Sequence, residues 1–512
     1  MAGQKQSRLT DADLFGNDAA EDEDLSVFQS YVLARPELHD FTSPDRRICI
    51  ARAYKGEGKS ALLRLSAVSI EAASDNPIVV LASATSLAPE LPATSDFSAW
   101  VRAWKAAIFN QLAAEVGATI GLAWSDDAIS LVEQSERQGF KAKNIVSVIL
   151  SRFNLTQVKA GSFGLSMAVK RLGTSNPEKV LQRWAKDGTR VWLFIDDVDL
   201  NFQNTAQQRL RVASFFIACR EIVNAVEGLC LRAAVRPNVW TVIKLEFEAL
   251  SHVEQYAYDL RWSEEAMREM LARRIEAYLK RKGLWSNVEH RLPGTPFERD
   301  KALIGEFFDS PMEWSHSTRP PHVILYTLSK RRPRWAVELS KVAARSADAA
   351  KRSKISRADI FENLASFGTR RIEDTVAEFR SQCPEIDELI SAFRAEKEQF
   401  RTDEMLKLIE NKVLNHLQPH IVGHAGKVSA RDVAAFLFQI GFFFGRRDLP
   451  GEHYEHVGFS DQPTLWHSRS DMDSGLSWEI HPVFRQALDI RDAAGREFAP
   501  PARKPRRESP SR

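Results

Sequence analysis

An apolar run, Ile48 to Ala53, passes directly into Tyr54-Lys55-Gly56-Glu57-Gly58-Lys59-Ser60 and then into the helical pattern ALLRLSAV. No other stretch constrains the fold as tightly. A strand buried on both faces has to end in a glycine-bearing turn, and that turn has to feed a helix at once. The pattern is GxxxxGK[ST] with Ala53 in place of the first glycine. Gly56 and Gly58 allow consecutive N–H groups to curl around a phosphate, and the helix that follows points its positive end at the anion. Lys59 has the length to reach the outer phosphates of ATP, and the Ser60 hydroxyl is a hard oxygen ligand for Mg2+. The spacing predicts a nucleotide site cradled by Gly56, Glu57, Gly58, Lys59, Ser60 and Ala61. Ala53 is a departure, because the first glycine often takes a φ that a β-carbon resists.

A second apolar run, Val191 to Ile195 (VWLFI), ends in Asp196-Asp197-Val198-Asp199. A phosphate turn of this kind needs a carboxylate brought to the metal from another strand. Asp196 is the expected Mg2+ carboxylate, together with Ser60. Asp197 is expected to face the attacking water, and Asp199 is a further polar contact or a capping residue. A glutamate often follows the first aspartate in active ATPases; the shorter Asp197 points to slow hydrolysis. A third run, Leu229 to Val235, leads into Arg236-Pro237-Asn238, where Arg236 or Asn238 could contact the γ-phosphate. Farther on, Arg334 stands at the start of a helical pattern, Ala336 to Arg345, as a second candidate. Arg209, Arg211 and Arg220 follow the acidic strand, and one of them could act on a neighbouring subunit.

Two more apolar runs, Ile78 to Ala82 and the weaker Val253 to Leu260, complete a set separated by helical patterns. Continuous apolar runs of this length suit a parallel sheet with crossover helices, so the class is α/β. The gap from Ser83 to Arg190 reads as a helical insertion, with Trp100, Trp104, Ile108 and Leu112 at helical spacing as packing residues and a second helix near Asp126 to Phe153. Ser263 is the expected N-cap of a helix whose apolar face is Met267, Met270, Leu271, Ile275 and Tyr278. Helical patterns then continue to about Gln418. A helix at Ala430 to Ile440 followed by GFFFGRRDLPG, HYEHVGF and LSWEIHPVF reads as a helix leading into a hairpin, the texture of a winged helix.

Composition removes several classes. Lys plus Arg number 70 against 68 Asp plus Glu, a net charge of +2, so the chain is no global polycation, although a local basic face remains open. The four cysteines are far apart and form no CxxC pair, which excludes a zinc ribbon. His453 and His456 have no further ligand pair nearby and read as loop residues. No apolar stretch approaches the roughly 20 residues that span a bilayer, and the polar start of the chain lacks the apolar core of a secretion signal. A cytoplasmic protein without a membrane partner is expected.

In order along the chain, KGEGKSALL, FIDDVD, LRAAVRPNVW, DLRWSEEAMREML, RRPRWAVELS and IHPVFRQAL resemble the bacterial P-loop ATPases related to the AAA+ and STAND classes, with origin-recognition-like features. The resemblance implies a P-loop sheet of order 5-1-4-3-2, then an α-helical lid and a C-terminal winged-helix-like domain. It divides the chain into a disordered acidic tail (1–25), the NTPase domain (26–284) with its insertion (84–190), the lid (285–417), the winged-helix-like domain (418–490) and a disordered basic tail (491–512). Carried over, Lys59 and Ser60 match the P-loop pair, Asp196 the metal carboxylate, Arg236 the sensor and Arg334 the lid arginine. The cofactors implied are ATP and Mg2+. Members often serve anti-phage systems as ATP-dependent switch or assembly subunits, which implies a homo-oligomer or a partner protein. The alternative is a DNA-binding loader or regulator that reads through the winged helix; Arg446, Arg447 and the basic residues Arg503 to Arg507 favour it. A small-molecule kinase is a third reading, opposed by the large lid and C-terminal region.

Overall fold

The apolar runs become a parallel sheet. A computed structural model describes residues 9–19, 22–73, 77–92, 94–120, 190–314, 317–424, 426–449, 453–463, 465–466 and 476–492. The chain divides into two units, Ala19–Arg261 and Met1–Asp18 with Trp262–Arg512. In the first unit, strands β1 (Ile48–Arg52), β2 (Ile78–Ser83), β3 (Val191–Asp196), β4 (Leu229–Val235) and β5 (Ala257–Asp259) form one sheet in the order β2-β3-β4-β1-β5. All four pairings are parallel. The fold is therefore the α/β sheet of order 5-1-4-3-2. The weak run Val253 to Leu260 yields only three strand residues, because Ser251–Glu254 is a helical turn.

Alternate residues of each strand feed opposite cores. Ile48, Ile50, Leu193, Ile195 and Leu231 join one core with Trp100, Trp104, Ile108 and Leu112 of the helix Phe97–Ile120 and with the helix Ala206–Ala225. The tryptophans are packing residues, as their spacing predicted; Trp104 is 1% exposed and its indole N–H donates to the Arg211 carbonyl at 2.9 Å. Cys49, Ala51, Trp192, Phe194 and Ala234 face the other core with Leu62, Leu63, Ala67 and Ile70. These last four come from helix α1 (Lys59–Ala73), the helix that follows the glycine turn. Arg232 interrupts the apolar run of β4 and is fully buried. Its guanidinium donates to the carbonyls of Phe41, Leu231 and Ser43 and lies 4.9 Å from the Trp192 ring, so each of its three nitrogens has an acceptor. The second helix expected near Asp126 to Phe153 lies outside the described residues.

The second unit opens with the helix Glu264–Arg281, capped as expected: the Ser263 hydroxyl accepts the N–H of Ala266 at 3.1 Å, and Met267, Met270, Leu271, Ile275 and Tyr278 are buried. Further on, Ala430–Gln439 is a helix with a Ser429/Asp432 capping box, followed by an antiparallel hairpin, Phe443–Leu449 with His453–Val457. Leu476–Ile480 pairs with the first of these strands and, on its other edge, with Gln399–Arg401. That edge strand comes from the region expected to be purely helical lid. The unit boundary at Arg261/Trp262 also precedes the expected boundary at 284.

The acidic start of the chain is not a free tail over its described part. Leu14 and Phe15 are buried, Lys282 pairs with Asp11 at 3.0 Å and Asp13 at 2.8 Å, and Lys341 pairs with Asp18 at 2.8 Å. Arg274 also donates to the Phe15 and Asn17 carbonyls, so the segment is held by buried apolar residues, by lysines on its aspartates and by an arginine on its backbone. Of the basic tail, residues 493–512 lie outside the described residues, including Arg503 to Arg507.

Candidate nucleotide site

In a parallel sheet every strand ends at the same edge, and that edge is where open α/β sheets bind ligands. Register places the candidate residues there side by side. Ser83 pairs with Asp196 between β2 and β3, Ile195 with Ala233 between β3 and β4, and Val235 with Arg52 between β4 and β1. Arg236, one residue past β4, thus stands on the strand between the acidic strand end and the glycine turn. Among the sequence candidates this edge unites Gly56, Glu57, Gly58, Lys59, Ser60, Ala61, Asp196, Asp197 and Arg236.

The glycine turn has the conformation its residues predict. Gly56 and Gly58 hold φ of 86° and 97°, in the left-handed region where a β-carbon is strained. Ala53 is not among the non-glycine residues with positive φ, so its β-carbon is accommodated without strain. Ala53 is instead an extension of the sheet, its N–H donating to the Val235 carbonyl at 3.3 Å. Helix α1 begins at Lys59, so its first N–H groups face the turn.

Two side chains of the turn hold one peptide unit from both sides. The Lys59 ammonium donates to the Ala53 carbonyl at 2.7 Å, and the Tyr54 N–H donates to Glu57 Oε2 at 2.6 Å. The carbonyl and the N–H belong to the same peptide group, Ala53–Tyr54. The spacing predicts Glu57 only as a member of the nucleotide cradle; the clasp made by its carboxylate is a finding of the structure. An acid at the third position after a potential N–H donor was the available signal.

On the neighbouring strands, Asp196 is half-buried and its Oδ1 accepts the N–H of Asp197 at 2.9 Å. Asp197 is exposed and adopts φ of 60°, a conformation that aspartate tolerates better than most residues. Asp199 is 4% exposed. Its Oδ2 accepts the backbone N–H of Arg236 at 2.6 Å and lies 3.7 Å from the Arg236 Nε. Asp199 thus makes a capping contact at the start of the helix Pro237–Glu246, where Arg236 itself makes no side-chain cap, and a polar contact with the Arg236 side chain besides. Asn238, the second residue of that helix, is buried.

The donor set suits the groups it was expected to hold. Left-handed glycines ahead of a helix N-terminus and one lysine fit a polyphosphate. A serine hydroxyl and an aspartate carboxylate are the hard oxygen ligands that Mg2+ takes alongside water and phosphate.

Of the other arginine candidates, Arg209 is engaged locally, whereas the buried Nε of Arg220 has no hydrogen-bond partner among the described residues. Arg209 pairs with Glu246 and donates to the Asn204 carbonyl at 2.7 Å. Arg334 belongs to the second unit, at the second residue of the helix Pro333–Ala349, and is half-buried. The Asp18 carboxyl stands below its usual pKa there: burial raises it, but the hydrogen bond and charge of Lys341, with a contribution from Arg334, outweigh that. The turn before Arg334 is not an exposed basic loop. Lys330 donates to the Ile440 carbonyl at 2.8 Å, Arg331 holds Asp461 with two hydrogen bonds, and Arg332 forms a buried pair with Glu378 at 2.8 Å. In the hairpin, Arg446 pairs with Asp448 and with buried Glu479, each at 2.7 Å, and Arg447 lies 3.7 Å from Glu455. His456 is not a loop residue: it lies on the strand His453–Val457, is half-buried and meets Glu479 at 2.8 Å.

No protein-family model and no curated protein matches the chain. Among solved structures it is similar to the ORC2 protein of Aeropyrum pernix, described in ADPNP–ADP complexes, at 11% identity over 91% of this chain and 96% of that one, with a TM-score of 0.41. It is similar to Cdc6p from Pyrobaculum aerophilum at 11% identity, over 91% of this chain and 99% of that one, with a TM-score of 0.30. A Walker-type ATPase of Pyrococcus abyssi is 12% identical over 86% of this chain and 96% of that one, with a TM-score of 0.36.

Proposed function

We propose that this chain is an ATP-binding P-loop ATPase of the AAA+/STAND kind, hydrolysing slowly and acting as a nucleotide-dependent switch or assembly subunit. One observation carries the reading: a glycine turn with left-handed Gly56 and Gly58, the acidic end of β3 and Arg236 stand on three neighbouring parallel strands, β1, β3 and β4, with β4 in the middle. In this reading the turn and Lys59 bind the β- and γ-phosphates. Ser60 and Asp196 hold Mg2+, which supplies charge neutralisation on the phosphates when bound. Asp197 orients the attacking water, and Arg236 senses the γ-phosphate. The part assigned to Arg334 rests on its place in the sequence alone.

Isothermal titration calorimetry with ATP and Mg2+ tests the reading. Binding by the native chain and none by Lys59→Ala supports it. Equal affinity in both removes it. Mass measurement with and without ATP tests the assembly role. Of the arginines behind the DNA-reading alternative, Arg446 is paired with Asp448 and buried Glu479, while Arg447 stays 42% exposed with Glu455 at 3.7 Å. The anti-phage setting rests on the sequence resemblance alone.

A further inference from the structure

The buried acid Asp199 is the one carboxylate of the β3 end that faces Arg236 with both a hydrogen bond and a charge among the contacts described. Its Oδ2 takes the Arg236 backbone N–H at 2.6 Å and lies 3.7 Å from the guanidinium Nε. The same peptide group that gives its N–H to Asp199 gives its carbonyl, that of Val235, to the N–H of Ala53 at 3.3 Å. Ala53 in turn offers its carbonyl to Lys59 at 2.7 Å. A continuous path of hydrogen bonds therefore runs from the loop after β3, across the tip of β4, into the glycine turn. A capping role alone would need only the backbone contact, and an asparagine would serve it equally well. The guanidinium beside the same oxygen is an additional relationship. The Arg236 side chain is 24% exposed and that of Asp199 5%, so the acid is the buried member of the pair and the arginine keeps accessible surface. A guanidinium loosely held by an exposed carboxylate would contribute little, but one anchored by a buried partner keeps its direction.

We infer that Asp199 is a positioning residue: it aims Arg236 at the γ-phosphate, and the preference of this site for ATP over ADP depends on a side chain that touches neither nucleotide. The inference rests on the nucleotide reading of the site given above. A ligand's effect on a two-state site is limited to its differential affinity, and here the difference between ATP and ADP is carried by Arg236 as Asp199 presents it.

The test measures ATP and ADP affinities by calorimetry on the full chain, native and as Asp199→Asn, Asp199→Ala, Arg236→Ala and the Asp199→Asn/Arg236→Ala pair. Asparagine keeps the acceptor for the Arg236 N–H and removes the charge, so Asp199→Asn should melt close to the native protein. Its ATP-to-ADP affinity ratio should nevertheless fall about tenfold, the scale of one charge-assisted contact. Arg236→Ala should lower the ratio as much, and the double variant no further. Asp199→Ala should lower both the ratio and the melting temperature. A native ratio in Asp199→Asn, with the ratio lost in Arg236→Ala, would overturn the inference and leave Asp199 a helix cap. A native ratio in Arg236→Ala would overturn it too, while the phosphate turn still stands if Lys59→Ala abolishes binding. Absence of ATP and ADP binding in the native chain would overturn the site reading and this inference together.

Discussion

The carboxylate of Glu57 accepts the backbone N–H of Tyr54 at 2.6 Å within the glycine turn. Lys59 holds the carbonyl on the other side of that peptide group, so the turn carries its own clasp. The missing first glycine therefore leaves the turn without strain at Ala53. Ala53 stays in the sheet, the Ala53–Tyr54 peptide is fixed by side chains, and the left-handed conformations begin only at Gly56.

Removing the clasp should loosen the turn. Glu57→Ala frees the Tyr54 N–H and is expected to weaken ATP binding about tenfold, the worth of one charge-assisted hydrogen bond. Glu57→Gln retains an acceptor and should lose far less. Calorimetry on both variants decides; equal losses would mean that the charge of Glu57, rather than its acceptor, matters.

The two acids at the end of β3 should separate on substitution. Asp196→Asn is expected to weaken the Mg2+-dependent part of ATP binding. Asp197→Asn is expected to leave affinity near native and to lower turnover by at least about a hundredfold, the scale of a positioned base. Single-turnover hydrolysis beside titration of ATP with and without Mg2+ checks both. Unchanged turnover in Asp197→Asn would place the base elsewhere.

Gly368 lies on the helix Leu364–Phe379, where a β-carbon would run into the backbone carbonyl of Val483 and stand 3.0 Å from the Ala487 β-carbon. Gly368→Ala normally favours a helix, yet here it should destabilise the second unit by about 1–3 kcal/mol through overpacking. Urea unfolding reads the difference, and a stabilised variant would contradict the close approach.

Two buried groups give the second unit a defined acid response. His322 is drawn down to about 4, by burial first and then by the charges of Arg268 and Lys301. An unfolded histidine titrates near pH ~6.5, so the unfolded chain takes up this proton first, and stability falls as pH drops from about 6.5 toward 4. Burial raises the Glu479 carboxyl, but the His456 hydrogen bond and the Arg485, His456 and Arg446 interactions outweigh it and hold the group at about 2. Its contribution is present above the unfolded value of about 4.3 and is lost as pH falls from there toward 2. Glu479→Gln should cost about 3 kcal/mol at neutral pH, because it leaves Arg446 and Arg485 with a neutral partner, and it should flatten the limb below about pH 4. Urea midpoints measured from pH 8 to pH 3 test both windows; an identical acid limb in Glu479→Gln would remove the assignment.

Periodicity alone determined a good deal. The runs at Ile48, Ile78, Val191 and Leu229 became β1 to β4 with nearly the read boundaries, because strands buried on both faces must be apolar throughout. GxGKS, FIDDVD and Arg236 were legible for a related reason: a glycine turn, an acidic strand end and a strand-tip arginine are local patterns, and parallel strands carry them to one edge without further instruction. Ser263 announced its helix because a cap is a contact within four residues. What only the tertiary structure decided are pairings between distant segments. The sequence could not show that Asp199 faces Arg236, that Arg232 inside an apolar run is satisfied by the carbonyls of Phe41 and Ser43, or that Gln399–Arg401 completes a sheet with Leu476–Ile480. The acidic segment 1–25 reads as a disordered tail, yet Lys282 and Lys341 meet three of its aspartates. Local patterns record what a residue does to its own backbone; whether a charge is solvated, capped or buried depends on which distant segment the folded chain sets against it.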